Sequence, residues 1–232
     1  MKAFLLLITL LLFSLTAQEK ALEAFKQHNY KEAYRLYKID AKKGDALSQS
    51  ALSYLYFNGY GTEKNDEQGL FWLQKSAHNM NANAQYDLAM MYLSGYNVDK
   101  DVTLAYTWLD SASDLGNVNA KYNLALMYYE GNGTDQNVTR SLILLQEAAE
   151  KGHKGAIDNI AVVYMQVLKF DKATKWLEIN AENGDVNAYY LLGEVYCEQE
   201  KFVEAKKWVG KSMKSGNENA TLLWERYNLE NY

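Results

Sequence analysis

The side chains best able to bind a metal or attack a substrate are few: three histidines, His28, His78 and His153, and one cysteine, Cys197. A zinc site needs three or four such groups at characteristic short spacings, as in His-Glu-x-x-His. The histidines stand in different parts of the chain without a carboxylate or thiol at ligand spacing, so they are expected as exposed polar residues near helix ends. Asp99-Lys-Asp101 opens like a calcium loop but lacks its glycine and closing glutamate, and reads as a polar turn ending in a helix cap. Cys197 lies between Glu194 and Glu198, whose charge disfavours the thiolate, so it is not expected to be reactive. Gly-x-Ser-x-Gly and Ser-x-x-Lys do not occur. Gly59-Tyr-Gly61 and Gly131-Asn-Gly133 lack the strand before and the Lys-Ser/Thr after that a phosphate loop requires. No catalytic, metal or cofactor-binding residue is therefore expected.

What the chain does offer is aromatic and small residues on a fixed beat. Ser48, Ala84, Ala120, Ala156, Ala188 and Ala220 follow one another at intervals of 36, 36, 36, 32 and 32 residues. Tyr56, Tyr92, Tyr128, Tyr164 and Tyr196 keep the same period, as do Trp72, Trp108, Leu144, Trp176 and Trp208. A repeat near 35 residues with small and aromatic positions in phase marks a stacked α-solenoid. Within one copy Ala120, Leu124, Ala125 and Tyr128 form an apolar face at helical spacing. Ser53, Ala89, Ala125, Ala161 and Gly193 supply holes beside the large residues Leu52, Leu88, Leu124, Ile160 and Leu192, as close helix packing requires. The second helix of each copy repeats the scheme with Ala33, Gly69, Ala105, Ser141, Ala173 and Ala205, followed three residues later by a bulky group.

Punctuation agrees. Gly44, Gly116, Gly152, Gly184 and Gly216 stand where second helices should end in left-handed caps. Met80 takes that place once, where Asn79 or Asn81 is expected to make the turn instead. Asn65, Asp101 and Asn137 read as N-caps after long glycine loops, whereas the first and last two copies have short Tyr or Phe corners. A polar closing helix is expected from about 218 to 229, and no proline interrupts any helix. The expected fold is all-α: a right-handed α-solenoid of about six antiparallel helix pairs plus a C-terminal capping helix. Its repeats run about 18–45, 46–81, 82–117, 118–153, 154–185 and 186–217, with the cap at 218–232.

The first seventeen residues read differently. Lys2 precedes an apolar run from Ala3 to Phe13, and small residues up to Ala17 suit cleavage after it. About eleven apolar residues span only half of a ~30 Å hydrocarbon core, which fits a secretory signal over 1–17 better than a membrane span. No cysteine follows the run, which argues against a lipid anchor, and a single cysteine leaves no intrachain disulfide. Between Asp45 and Glu150 stand 13 acidic and 5 basic residues, a balance of −8 within a total of −5. No basic stripe offers itself to nucleic acid or anionic lipid; the excess reads as a solvated acidic face or as a field that attracts a basic partner. Three Asn-x-Thr matches carry no weight among so many asparagines.

The copies resemble the SEL-one-like repeat family, a subclass of tetratricopeptide-like repeats. Ala120, Leu124-Ala125, Tyr128, Gly131-Asn-Gly133 and Ala148-Ala149-Glu-Lys-Gly152 match the family pattern in one copy, and Ala105-Tyr-Thr-Trp108 in another. Three copies carry the long glycine loop; the others look like plain tetratricopeptide repeats. The resemblance implies protein–protein contacts within envelope or secretory assemblies. Some cysteine-rich family members are associated with β-lactam hydrolysis, but the paired cysteines of those repeats are missing.

The resulting expectation is an exported adaptor, periplasmic or extracellular, that binds a protein or peptide, basic in one reading, on its concave face. A secreted factor engaging host proteins and a β-lactamase-like hydrolase are the alternatives. In such stacks the first helix of each pair lines the concave face. Positions two, six and nine after the repeat alanine give the binding candidates Tyr54, Phe57, Tyr86, Met90, Leu93, Tyr122, Leu126, Tyr129, Val162, Met165, Tyr190 and Glu194. An aromatic stripe of this kind is either an open groove or core shared between neighbouring first helices.

Overall fold

The computed structural model describes residues 16–232; the expected signal, but for Thr16 and Ala17, lies outside the described residues. All regular structure there is helical. First helices are α1 (Ala17–Lys26), α3 (Ala46–Asn58), α5 (Ala82–Ser94), α7 (Val118–Glu130), α9 (Lys154–Gln166) and α11 (Val186–Glu198). Second helices are α2 (Tyr30–Lys42), α4 (Asp66–His78), α6 (Val102–Asp114), α8 (Val138–Glu150), α10 (Phe170–Glu182) and α12 (Phe202–Lys214). A closing helix α13 (Glu218–Arg226) and a 3₁₀ turn (Leu229–Asn231) follow. From α2 to α12 every helix has 13 residues, about 20 Å of axis, so paired helices match end to end.

The chain forms two compact units, one ending at Ala120 and one running Lys121–Tyr232. In the first, α1 to α6 pack each on the next in chain order; in the second, α8 to α13 do the same. Loops this short leave neighbours antiparallel. This is the helix-pair solenoid architecture that the repeat predicts.

The packing follows the knob-and-hole positions. Every repeat alanine, and Ser48 in its place, is at most 1% exposed. Leu52, Leu88, Leu124, Ile160 and Leu192 are equally buried beside their small neighbours. In the second helices the bulky residue three positions after the small one is not the deepest. Trp72, Trp108, Trp176 and Trp208 are half-buried. The next residue (Tyr37, Leu73, Leu109, Leu145, Leu177 or Val209) is the buried one. At 100° per residue, one step turns the side chain from the rim of the interface to its middle.

The caps at the helix ends hold as expected, with one correction. Asn65, Asp101 and Asn137 accept from the backbone amides of Gln68, Leu104 and Arg140 at 2.8–2.9 Å. The terminal glycines all lie at positive φ, Gly116 for example at 87°. At the odd position neither Asn79 nor Asn81 makes the turn: Met80 itself adopts φ 63°, a conformation that costs an L-residue roughly 1–2 kcal/mol. Two further differences concern the ends. Thr16 caps α1 in a reciprocal capping box with Glu19, so cleavage after Ala17 would part the helix from its cap. The closing helix stops at Arg226; Asn228 reverses the chain at φ 48°, and Leu229 folds back fully buried against α12.

Two buried glutamines tie successive copies of the first unit. Gln49 and Gln85 donate through Nε2 to the carbonyls of Ala41 and Ala77, each at 3.0 Å. They add a second donor to carbonyls at the ends of α2 and α4 that already accept from the Gly44 and Met80 amides at 3.1 Å.

A candidate partner-binding groove

The first unit opens into a groove of about 790 Å³ between α1, α3 and α5. Its floor comes from helix periodicity. Leu47, Ser50, Ala51, Tyr54 and Phe57 recur along one face of α3, with Asn83, Asp87 and Met90 on α5 and Leu22 and Phe25 on α1. Leu47, Tyr54 and Leu22 are 57%, 50% and 45% exposed, and side by side they give the groove an apolar mouth. Tyr54 is fixed by an aromatic cluster, with Phe25 edge-on at 6.0 Å, Tyr60 tilted at 6.0 Å, and Tyr60 stacked on Tyr30 at 4.5 Å. A rigid, amphipathic ring of this kind offers contact area at small entropic cost.

Of the candidates read from the sequence, Tyr54, Phe57 and Met90 line this groove. Tyr86 and Leu93 lie half-buried on α5 outside its lining. In the second unit two tyrosines of the stripe are engaged within the fold. Tyr122 stacks on His153 at 4.4 Å and accepts from Asn159 Nδ2 at 3.0 Å. Tyr129 donates its hydroxyl to Gln166 Oε1. Leu126, Met165 and Tyr190 are half-buried, and Val162 is exposed. Glu194 is half-buried, and burial followed by the charge of Glu198 pushes its carboxyl above the ordinary range.

Leu22 and Phe25 were not among the candidates. Counting back the 17 residues that separate Ala156 from Ala173 places Thr16 at the repeat-alanine position of the first copy, and Leu22 and Phe25 then fall at six and nine. The short first corner hides this register. Leu47, Asn83 and Asp87 sit one before and three after the repeat alanine, on the same helical face as the counted positions.

The chemistry-bearing residues do not converge. Among the described residues no three His, Cys, Asp or Glu side chains stand close enough to share a metal ion. His28 bonds Tyr30 Oη at 2.7 Å and His78 donates to the Gln74 carbonyl at 2.7 Å. His153 corrects the expectation of exposed corner histidines: it is half-buried, and its Nδ1 caps α9 by accepting from the Ala156 amide at 3.1 Å. Cys197 is buried, and burial, then Glu198 and Glu194, push its thiol up to about 11. Lys38 Nζ, Tyr34 Oη and Tyr56 Oη form a chain of 2.8 Å contacts at the α2–α3 contact, away from the groove lining.

Comparisons with known proteins agree with the fold. Residues 46–79, 82–117 and 118–153 match the Sel1 repeat family. No curated protein matches the sequence. The chain is similar to c5321, a protective antigen present in uropathogenic Escherichia coli strains that displays an SLR fold. The TM-score is 0.75 at 23% identity, over 91% of this chain and 50% of that one, so the chain spans about half the length of that protein. A Sel1 repeat protein from Oxalobacter formigenes gives a TM-score of 0.69 at 26% identity, covering 89% and 86% of the two chains. YrrB, a TPR protein with an unusual peptide-binding site, gives 0.59 at 18% identity, covering 84% and 99%.

Proposed function

Because the chain carries three Sel1 repeats, we propose that it is an exported, non-catalytic scaffold whose α1–α3–α5 groove holds a peptide segment of a protein partner. The observation that carries this reading is the groove itself: exposed Leu22, Leu47 and Tyr54 on rigid helices, where a solvent face would carry charge. A peptide is also the kind of ligand bound by YrrB, a protein of similar fold. The acidic balance of −8 between Asp45 and Glu150 favours a basic partner, since complementary fields steer association. Export rests on Lys2, the apolar run and the small residues before Gln18. The periplasm is the proposed destination, and release to the medium the second.

The test is capture from envelope extract. The whole chain, tagged at its C-terminus and purified from the cells that make it, should retain a specific partner. The Leu47→Ala, Tyr54→Ala double variant should lose that partner while keeping its helical circular dichroism and unfolding midpoint. Undiminished capture by the double variant would take the partner out of the groove. Fractionation decides the destination: recovery with a cytoplasmic marker would end the export reading. A nitrocefin assay addresses the hydrolase alternative, where turnover above a heat-killed control would contradict a scaffold without chemistry.

A further inference from the structure

Among the described residues, Asp87 is the only charged one that lines the groove. It stands mid-way along α5, three residues after the repeat alanine, where the preceding copy has Ala51 and the later copies Asn123, Asn159 and Leu191. It caps no helix and makes no hydrogen bond or ion pair with the described residues. Two polar neighbours in the lining are used: Asn83 accepts from Asn117 Nδ2 at 2.9 Å, and Asn58 donates to the Tyr54 carbonyl at 2.8 Å. Although the side chain reaches solvent, the groove walls withhold part of its hydration and push its carboxyl above the ordinary value. A carboxylate that neighbouring side chains partly dehydrate gains from a cation brought to it, and none of the described residues supplies one.

We propose that the groove selects a peptide segment carrying a lysine or arginine between apolar residues, with Asp87 pairing the cation while Leu22, Leu47, Tyr54 and Met90 hold the flanking side chains. This rests on the groove being the binding site, and adds the identity of what enters it. The long aliphatic stem of a basic residue suits the place, since it can lie on the apolar floor while its head reaches the carboxylate. A charge-assisted hydrogen bond made inside a partly dry groove is stronger than one at an open surface.

The test uses an array of apolar nonapeptides, each synthesised with lysine, norleucine or glutamate at its centre, and the purified whole chain. Norleucine keeps the lysine stem without its charge. The lysine form should bind about tenfold more tightly than the norleucine form, and the glutamate form more weakly than either. Asp87→Asn should bring the lysine and norleucine forms together. Glu63→Gln, which removes the same charge from an exposed loop, should leave their ratio intact. Equal binding of the lysine and norleucine forms, lost on Tyr54→Ala, would overturn the role of Asp87 and leave the groove reading standing. A lysine preference that survives Asp87→Asn would overturn it too. Failure of every peptide to bind would remove the groove reading together with this one. A concentration-dependent dimer that Tyr54→Ala dissolves would place a second copy in the groove and refute the peptide.

Discussion

The first-helix stripe is open at α3 in one unit and engaged at α7 in the other, and one position accounts for much of the difference. Two residues after the repeat alanine, α3 has Ser50 and α7 has Tyr122, while Tyr86, at the same position of α5, stays outside the groove lining. Ser50 and its neighbour Ala51 are small enough to leave a channel beside Leu47 and Tyr54. The Tyr122 ring instead lies against Gly155, so closely that a Cβ there would stand 3.0 Å from its Cζ. It is also held by His153 and Asn159. An aromatic residue on this stripe is therefore not by itself evidence of a binding surface. It fills the space between first helices unless a small neighbour keeps that space free.

The sharpest way to break the comparison is to give the first unit the residue of the second. Ser50→Tyr should fill the channel and abolish partner capture, with little change in the urea midpoint. An unchanged yield of captured partner would show that the channel is not used. Next in size is truncation in each unit. Tyr122→Ala should cost about 2 kcal/mol, below the ~3–5 kcal/mol of a fully enclosed aromatic because the ring is half-buried. Tyr54→Ala should cost less than about 1 kcal/mol, since half its surface already faces water. Urea unfolding followed by helical circular dichroism measures both, and equal losses would erase the distinction between the units.

Gly193→Ala asks whether the second unit tolerates what its own repeat suggests. Alanine stands at this position in three other copies, yet a Cβ on Gly193 would strike Val209 Cγ2. The variant should lose about 2 kcal/mol through overpacking; a neutral result would mean that α11 and α12 slide apart freely. The corners supply a gain. Lys169 and Lys201 precede α10 and α12 without a side-chain cap bond, whereas Asn65 and Asp101 cap α4 and α6. Lys201→Asn should add about 1 kcal/mol to the second unit, and an unmoved midpoint would show that the short corner bars the capping geometry. The smallest change belongs to the first unit: Met80→Gly removes left-handed strain but loosens the unfolded chain, for a net gain of about 0.5 kcal/mol. A loss on the same measurement would show that the methionine side chain contributes more than its conformation costs.

Pattern made most of the architecture legible. The repeat alanines, the large residues beside their holes, the N-caps and the terminal glycines could be placed because each answers a local demand of helix geometry. The deepest residue of each second helix stands one step beyond the bulky group that the repeat marks. Tryptophan draws attention by size, but its ring is too large to be enclosed at the rim of a two-helix contact, and Leu73 and Leu109 do the filling. The buried glutamines went unnoticed, although Gln49 and Gln85 recur 36 residues apart; an amide in phase with the repeat was the available signal. Leu22 and Phe25 were hidden by the short corner that shifts the first copy's count.

By itself the sequence determined the helices, their pairing and their termini, because these depend on residues within about one repeat of each other. It also singled out one face of each first helix, two, six and nine residues after the repeat alanine. Whether that face meets a neighbour or water depends on the residues opposite it, one or two repeats away. Those distances are set by how side chains of different volume fill the space between helices. The channel beside Ser50, Gly155 beneath the Tyr122 ring and Asp87 without a partner among the described residues are facts of that kind. Tertiary packing alone decided them, and with them where a groove remains.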